Sequence, residues 1–161
     1  MRNQRTLLTF SLIPVGALWM QATNEISPEK DTVPVTVLVA EDEVILRMTL
    51  SEHLRDHHFH VLEAANGAEA RKIMDSIETV DVVISDVHMA EEGEGLALAR
   101  WMAEQHPTIP VILTSGSAEV QKSRAWEASG NVTDFVPKPY AQEVMERLVR
   151  ARVAARGVAP K

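Results

Sequence analysis

The stretch VDVVISDVHMAEEGEG, residues 80–95, decides how this chain is read. Valine and isoleucine dominate its first five positions and then give way to Ser85 and Asp86, after which a Glu/Gly-rich segment begins. A run this short and this rich in β-branched residues reads as a strand buried on both faces. A carboxylate at the end of such a strand is costly to bury unless something pairs with it. The remainder of the sequence must therefore supply partners for Asp86.

Four further runs have the same character: VTVLVA (35–40), FHVLEA (59–64), IPVILTS (109–115) and TDFVP (133–137). Segments with apolar residues at helical spacing lie between and after them. The first is EVILRMTLSEHLRD (43–56), in which Val44, Ile45, Met48 and Leu54 are expected to share a face. NGAEARKIMDSI (66–77) follows, with Asn66 as its cap, then GLALARWMAEQH (95–106), AEVQKSRAWEAS (118–129, ending at Gly130) and AQEVMERLVRARVAA (141–155). Strands alternating five times with helices predict a doubly wound α/β domain, a parallel sheet with helices on both faces.

The chain has 161 residues, 45% hydrophobic and 24% charged, which suits one globular domain and not two. A formal charge of -7 offers no basic footprint, so direct nucleic-acid binding is not expected. The absence of cysteine excludes disulfides and thiolate metal sites. Arg2 and Arg5 precede the apolar stretch LLTFSLIPVGALWM (7–20), which is signal-like but broken by Pro14 and Gly16. An upstream start codon with Met20 as the true start, or a loosely ordered tail, are the favoured alternatives, since no small-x-small cleavage site follows Met20. The expected organisation is an extension and linker over 1–33, the domain over 34–156 and a tail over 157–161. Little chain follows the fifth helix, and an output domain is not expected within it.

In open α/β sheets ligands bind beyond the carboxyl ends of the strands, where strand order reverses. Those ends carry Glu41 and Asp42 after the first strand, Asp86 at the third, Thr114 and Ser115 at the fourth and Lys138 at the fifth. Clustered carboxylates repel one another, and a hard divalent cation such as Mg²⁺ removes that repulsion. A lysine opposite them pairs with an acid at rest and with a phosphoryl oxygen after reaction. Phosphoryl transfer chiefly needs positioning and charge neutralisation, with Asp86 as the nucleophile.

VLVAEDEVILR (37–47), VVISDVHM (82–89), PVILTSG (110–116) and DFVPKPY (134–140) together resemble the receiver domain of bacterial two-component response regulators, in order and spacing. The resemblance covers residues 35–154 and implies a flavodoxin-like (βα)5 domain with strand order 2-1-3-4-5. It implies that Asp86 accepts a phosphoryl group from a sensor histidine kinase or histidine phosphotransferase. It also implies that Glu41, Asp42, Asp86 and the backbone carbonyl of His88 hold Mg²⁺. Ser115 matches the switch hydroxyl, with Thr114 as the alternative; Lys138 matches the family lysine, its bond to Pro139 expected to be cis. Phe135 stands at the switch aromatic position and reads equally well as core. Further implications are a downstream protein target, homodimerisation on activation, a cytoplasmic location and no membrane contact for the domain.

Two departures stand out. Ala90 replaces the proline usual after the acceptor, and the AEEGEG loop (90–95) is one residue longer than in chemotaxis-type receivers, as in stand-alone receivers of alphaproteobacteria. Glu91, Glu92 and Glu94 are expected near the metal mouth. Two rival readings remain. An aspartate-nucleophile phosphohydrolase needs a second Asp two residues after the first, where this chain has His88. A docking module that is never phosphorylated would have little need of the full acid, hydroxyl and lysine set. His53 and His57 stand at i, i+4, a spacing that binds transition metals. No carboxylate or cysteine stands at ligand spacing beside them, so they read as a solvated helix end. Trp101 and Trp126 read as packing residues.

Overall fold

The computed structural model describes residues 34–76 and 79–157. The expected extension over 1–33, with its signal-like stretch, and the last four residues of the expected tail lie outside them. Five strands, β1 (Thr36–Ala40), β2 (His60–Ala64), β3 (Val82–Asp86), β4 (Val111–Ser115) and β5 (Val132–Pro137), form one parallel sheet in the order β2-β1-β3-β4-β5. This is the expected doubly wound topology. The helices are α1 (Val44–Asp56), α2 (Gly67–Ser76), α3 (Glu94–Gln105), α4 (Ala118–Ser123) and α5 (Gln142–Ala155).

The three inner strands, β1, β3 and β4, are buried along their whole length, which is why their sequences are unbroken apolar runs and not alternating ones. Successive side chains still point to opposite faces. Val37 and Ile84 pack with Leu54 of α1 and Val149 of α5 on one face. Leu38 and Val83 pack with Met74 of α2 and Met102 of α3 on the other. Helix α2 starts where Asn66 predicted: its Oδ1 accepts from the Glu69 N–H at 2.8 Å, while Glu69 Oε2 accepts from the Ala65 N–H at 2.7 Å.

Two local expectations are corrected. In α1 the inward residues are Leu50, Ser51 and Leu54, whereas Val44, Ile45 and Met48 are 54%, 73% and 45% exposed. At 100° per residue Ile45 and Met48 lie about 180° and 120° from Leu54 around the helix and so turn away from the sheet, while Val44 is exposed in the first turn although Ser51, about 20° from it in angle, is buried. The expected fourth helix is broken: α4 ends at Ser123, Arg124 takes a left-handed conformation (φ 49°), and a 3₁₀ turn spans Ala125–Ala128.

One close approach fixes the loop after β3. The Gly95 N–H donates to the Val87 carbonyl at 3.1 Å, and a Cβ at Gly95 would lie 1.8 Å from the Asp86 carbonyl oxygen. Only glycine lets the first turn of α3 sit against the backbone of the acidic residue. Gly95→Ala is expected to lower stability by about 1–3 kcal/mol through overpacking. Gly130→Ala, where a Cβ meets nothing within 4 Å, serves as the neutral comparison. Urea denaturation of the two variants checks this.

Candidate functional site

The strand order brings the carboxyl ends of β1 and β3 side by side at the point where the chain reverses its direction of winding. Glu41 follows β1, Asp86 ends β3, and Lys138 follows β5. Lys138 Nζ donates to Asp86 Oδ2 at 2.6 Å and to Glu41 Oε2 at 2.7 Å. Glu41 and Asp86 are only 4% and 7% exposed, so this lysine is the neutralising charge for two buried acids. Its backbone is fixed as well: the Lys138 N–H donates to the Ser115 carbonyl at 2.8 Å, and the Lys138–Pro139 bond is cis, as expected.

Burial opposes the charge on Lys138, but the hydrogen bonds to Asp86 and Glu41 outweigh it and raise the ammonium above the ordinary lysine range. Burial raises the Glu41 carboxyl, and Lys138 offsets this only in part. Tyr140, packed behind the lysine, is pushed up to about 12, chiefly by burial. Asp86 Oδ1 accepts from the His88 N–H at 3.3 Å.

Donor atoms of Glu41, Asp42 and Asp86 lie within 4.8 Å of one another. Glu41 Oε1 is buried and has no hydrogen-bond partner. A buried acceptor of this kind, in a cluster of hard oxygen donors, fits a small divalent cation. Thr114 is the register partner of Asp86, and Ser115 follows it, with its Oγ accepting from the Ser117 N–H at 3.0 Å. Both residues are buried. Phe135 is half-buried in β5 and stacks on Trp126 with ring centroids 5.6 Å apart and an interplanar angle of 18°. The expected packing role of Trp126 is thus seen; Trp101 packs partly buried against the core formed by α2 and α3.

The acidic loop departs from expectation at Glu94. Its Oε1 accepts from the Gly67 N–H at 2.9 Å, holding the first turn of α2. Glu91 and Glu92 line a groove with Gly67 and Arg71. Sequence reasoning also missed Arg47, which donates to the Glu41 carbonyl at 2.5 Å and lies 3.5 Å from Glu63 Oε2. Its place on the inner face of α1, one turn before Leu50 and two before Leu54, was the available signal.

An open parallel sheet with paired acids and a lysine at its switch point defines the class: a doubly wound α/β domain with a charged site at the carboxyl edge of its sheet. Residues 37–150 match the family model for the response regulator receiver domain, and the chain belongs to that family. It is 34% identical over 120 residues to the regulatory protein VirG of Agrobacterium fabrum, covering 74% of this chain and 46% of VirG. It is 38% identical over 116 residues to the sensor kinase CckA of Brucella abortus, covering 71% of this chain and 12% of that protein. The chain therefore matches less than half the length of these relatives. A response regulator receiver protein from Sinorhizobium medicae superposes with a TM-score of 0.66 at 28% identity, over 76% of this chain and 97% of that one. TrrA of Thermotoga maritima, solved in complex with Mg(2+)-BeF, shares the fold with a TM-score of 0.65 at 24% identity, over 73% of this chain and 98% of that one.

Lys138→Met removes the shared cation and leaves two buried carboxylates. The expected loss of stability at pH 7 is about 3 kcal/mol, the low end for breaking a buried ion pair. Because the Lys138 pKa is raised, its contribution is fully present below the ordinary lysine range and is lost only as pH rises through the folded value. Burial raises the Glu41 carboxyl and Lys138 holds it down, so the variant raises it further and gains more than the wild type from its protonation as pH falls toward the ordinary carboxylate range. The deficit of the variant is therefore expected to shrink between pH 7 and pH 4.5, as read from urea midpoints at the two values.

Proposed function

We propose that Asp86 is the phosphoacceptor of this receiver domain, taking a phosphoryl group from a sensor histidine kinase or a histidine phosphotransferase and signalling through phosphorylation-dependent protein binding. The observation that carries this reading is the Lys138 ammonium held between Asp86 Oδ2 and Glu41 Oε2. It places a fixed positive charge where charge accumulates on a transferred phosphoryl group.

In the reaction an Asp86 carboxylate oxygen attacks the phosphorus of the donor. The P–N bond of a phosphohistidine, or the P–O bond of acetyl phosphate, breaks as the acyl phosphate P–O bond forms, and the leaving group takes the electron pair. Glu41, Asp42, Asp86 and the backbone carbonyl of His88 would hold Mg²⁺, which supplies neutralisation of the phosphoryl oxygens. Lys138 exchanges its bond to Asp86 for one to a phosphoryl oxygen. Ser115 is the hydroxyl assigned to a further oxygen, with Thr114 the alternative. Slow self-dephosphorylation by water ends the cycle.

The exposed first turn of α1 and a groove of about 400 Å³ lined by Leu46, Leu50, Pro139 and Tyr140 flank the acceptor, and they suit contact with a protein phosphodonor. The surface read by a downstream protein is assigned to β4, α4 and β5, where the Trp126–Phe135 stack lies beside the Ser115 strand. Homodimerisation through this surface is one form such binding takes. Membership of the receiver family supports a cytoplasmic location for the domain; among the described residues no helix is long and apolar enough to cross a membrane.

Intact mass after incubation with acetyl phosphate and Mg²⁺ tests the acceptor. One phosphoryl adduct is expected, lost in Asp86→Asn and in EDTA; a wild type that gains none from acetyl phosphate or from any cognate kinase overturns the proposal. Turnover of phosphate esters would instead identify a hydrolase. Ser115→Ala is expected to slow adduct formation more than Thr114→Ala. Tryptophan emission is expected to change on phosphorylation, and the change is expected to vanish in Trp126→Phe.

A further inference from the structure

The histidine pair stands at the end of α1 as its sequence suggests, with His57 at the C-cap and open to solvent, but His53 is not solvated. The His53 side chain is only 14% exposed, and Glu146 of α5, 93 residues further along the chain, faces both imidazoles. Glu146 Oε2 lies 3.4 Å from His53 Nε2 and 3.5 Å from His57 Nε2, and the two rings are 4.3 Å apart between centroids. We propose that His53, His57 and Glu146 form a binding site for a zinc-class divalent cation that clamps the C-terminal end of α1 to α5.

The spacing carries the argument. Zinc binds imidazole nitrogen at about 2.0–2.1 Å and carboxylate oxygen at about 2.0–2.2 Å, so two donors at tetrahedral positions stand about 3.3–3.5 Å apart. Both nitrogen-to-oxygen distances meet that value, and the donor atoms of all three residues lie within 4.8 Å of one another.

The supports are those of a metal site. His57 Nδ1 lies 2.7 Å from the His53 carbonyl oxygen, which can only accept. Nδ1 therefore carries the hydrogen, and in the neutral ring Nε2 presents its lone pair toward the carboxylate. Arg150 Nε donates to Glu146 Oε1 at 2.8 Å, leaving Oε2 to the imidazoles. Arg150 is itself held by the His57 carbonyl at 3.1 Å and by the face of Phe59 at 4.7 Å.

His53 Nε2 is buried and faces Glu146 Oε2 at 3.4 Å, longer than a well-formed hydrogen bond. A His53 ring protonated on Nδ1, as His57 is, turns a second Nε2 lone pair to the carboxylate, and three acceptors so placed need a positive charge between them. A proton serves one nitrogen-to-oxygen contact at a time, whereas a metal ion contacts all three donors. Two imidazoles and a carboxylate select zinc and its neighbours over Mg²⁺, and they leave a fourth position for water. His57, 42% exposed, leaves a path from solvent. His53 lies about 14 Å along the helix axis from Val44, so the site is separate from the Glu41, Asp42 and Asp86 cluster at the start of α1.

The test uses the full chain, stripped of metal and held in excess Mg²⁺ to saturate the acidic cluster, with Zn²⁺ titrated in competition with a chromophoric chelator. One equivalent is expected to bind with a Kd in the micromolar range or tighter, at least tenfold weaker in both Glu146→Gln and His57→Gln. The Asp86→Asn variant is expected to bind Zn²⁺ as the wild type does, which separates this site from phosphoryl acceptance. Absence of a saturable equivalent in the wild type, or undiminished uptake in Glu146→Gln and His57→Gln, overturns the proposal. Thermal melts give a second reading that does not depend on the chelator: Zn²⁺ is expected to raise the melting temperature of the wild type but not of His57→Gln, and an equal rise in both overturns it.

Discussion

Lys138 is the point on which the rest of the structure depends. Its ammonium joins residues 97 and 52 positions away in the chain, and those acids lie deep enough that neither is stable there without a cation. Bringing them together requires the complete strand order, because β5 must stand beside β4, and β4 beside β3, for the lysine to reach across to β1. The bond from the Lys138 N–H to the Ser115 carbonyl anchors the main chain while the side chain spans the sheet edge. Geometry imposed by the sheet and charge balance imposed by burial thus meet in one side chain.

The parts of the fold that were legible in the sequence are those governed by short-range patterning. Fully buried parallel strands must be continuous β-branched runs, and residues 82–86 and 111–115 were readable for that reason. The acids, hydroxyls and lysine were readable because each immediately follows or ends such a run. Asn66 was readable because a cap acts on residues three positions away.

What escaped the sequence depended on distant neighbours. The inward face of α1 is chosen by the sheet beneath it, and Arg47 belongs to that face although it is charged. Glu94 looked like one more acid near the metal mouth, but its partner is the backbone of Gly67, 27 residues earlier. Gly95 gave no sign of the Asp86 carbonyl that a side chain would strike. Glu146 is 89 residues beyond His57, so no spacing rule joins it to the histidines.

The break after Ser123 has a consequence for how the domain opens. A six-residue helix is far below the length at which helix formation sustains itself, so α4 depends on its cap and on tertiary contacts. It is held at its start by the Ser117 cap and, past the Arg124 reversal, by the stack of Trp126 on Phe135. Amide protons there should exchange with solvent far sooner than those of β1, β3 and β4, whose backbones lie in the sealed interior. Among the described residues, the segment between β4 and β5 is then a soft element mounted on a rigid sheet.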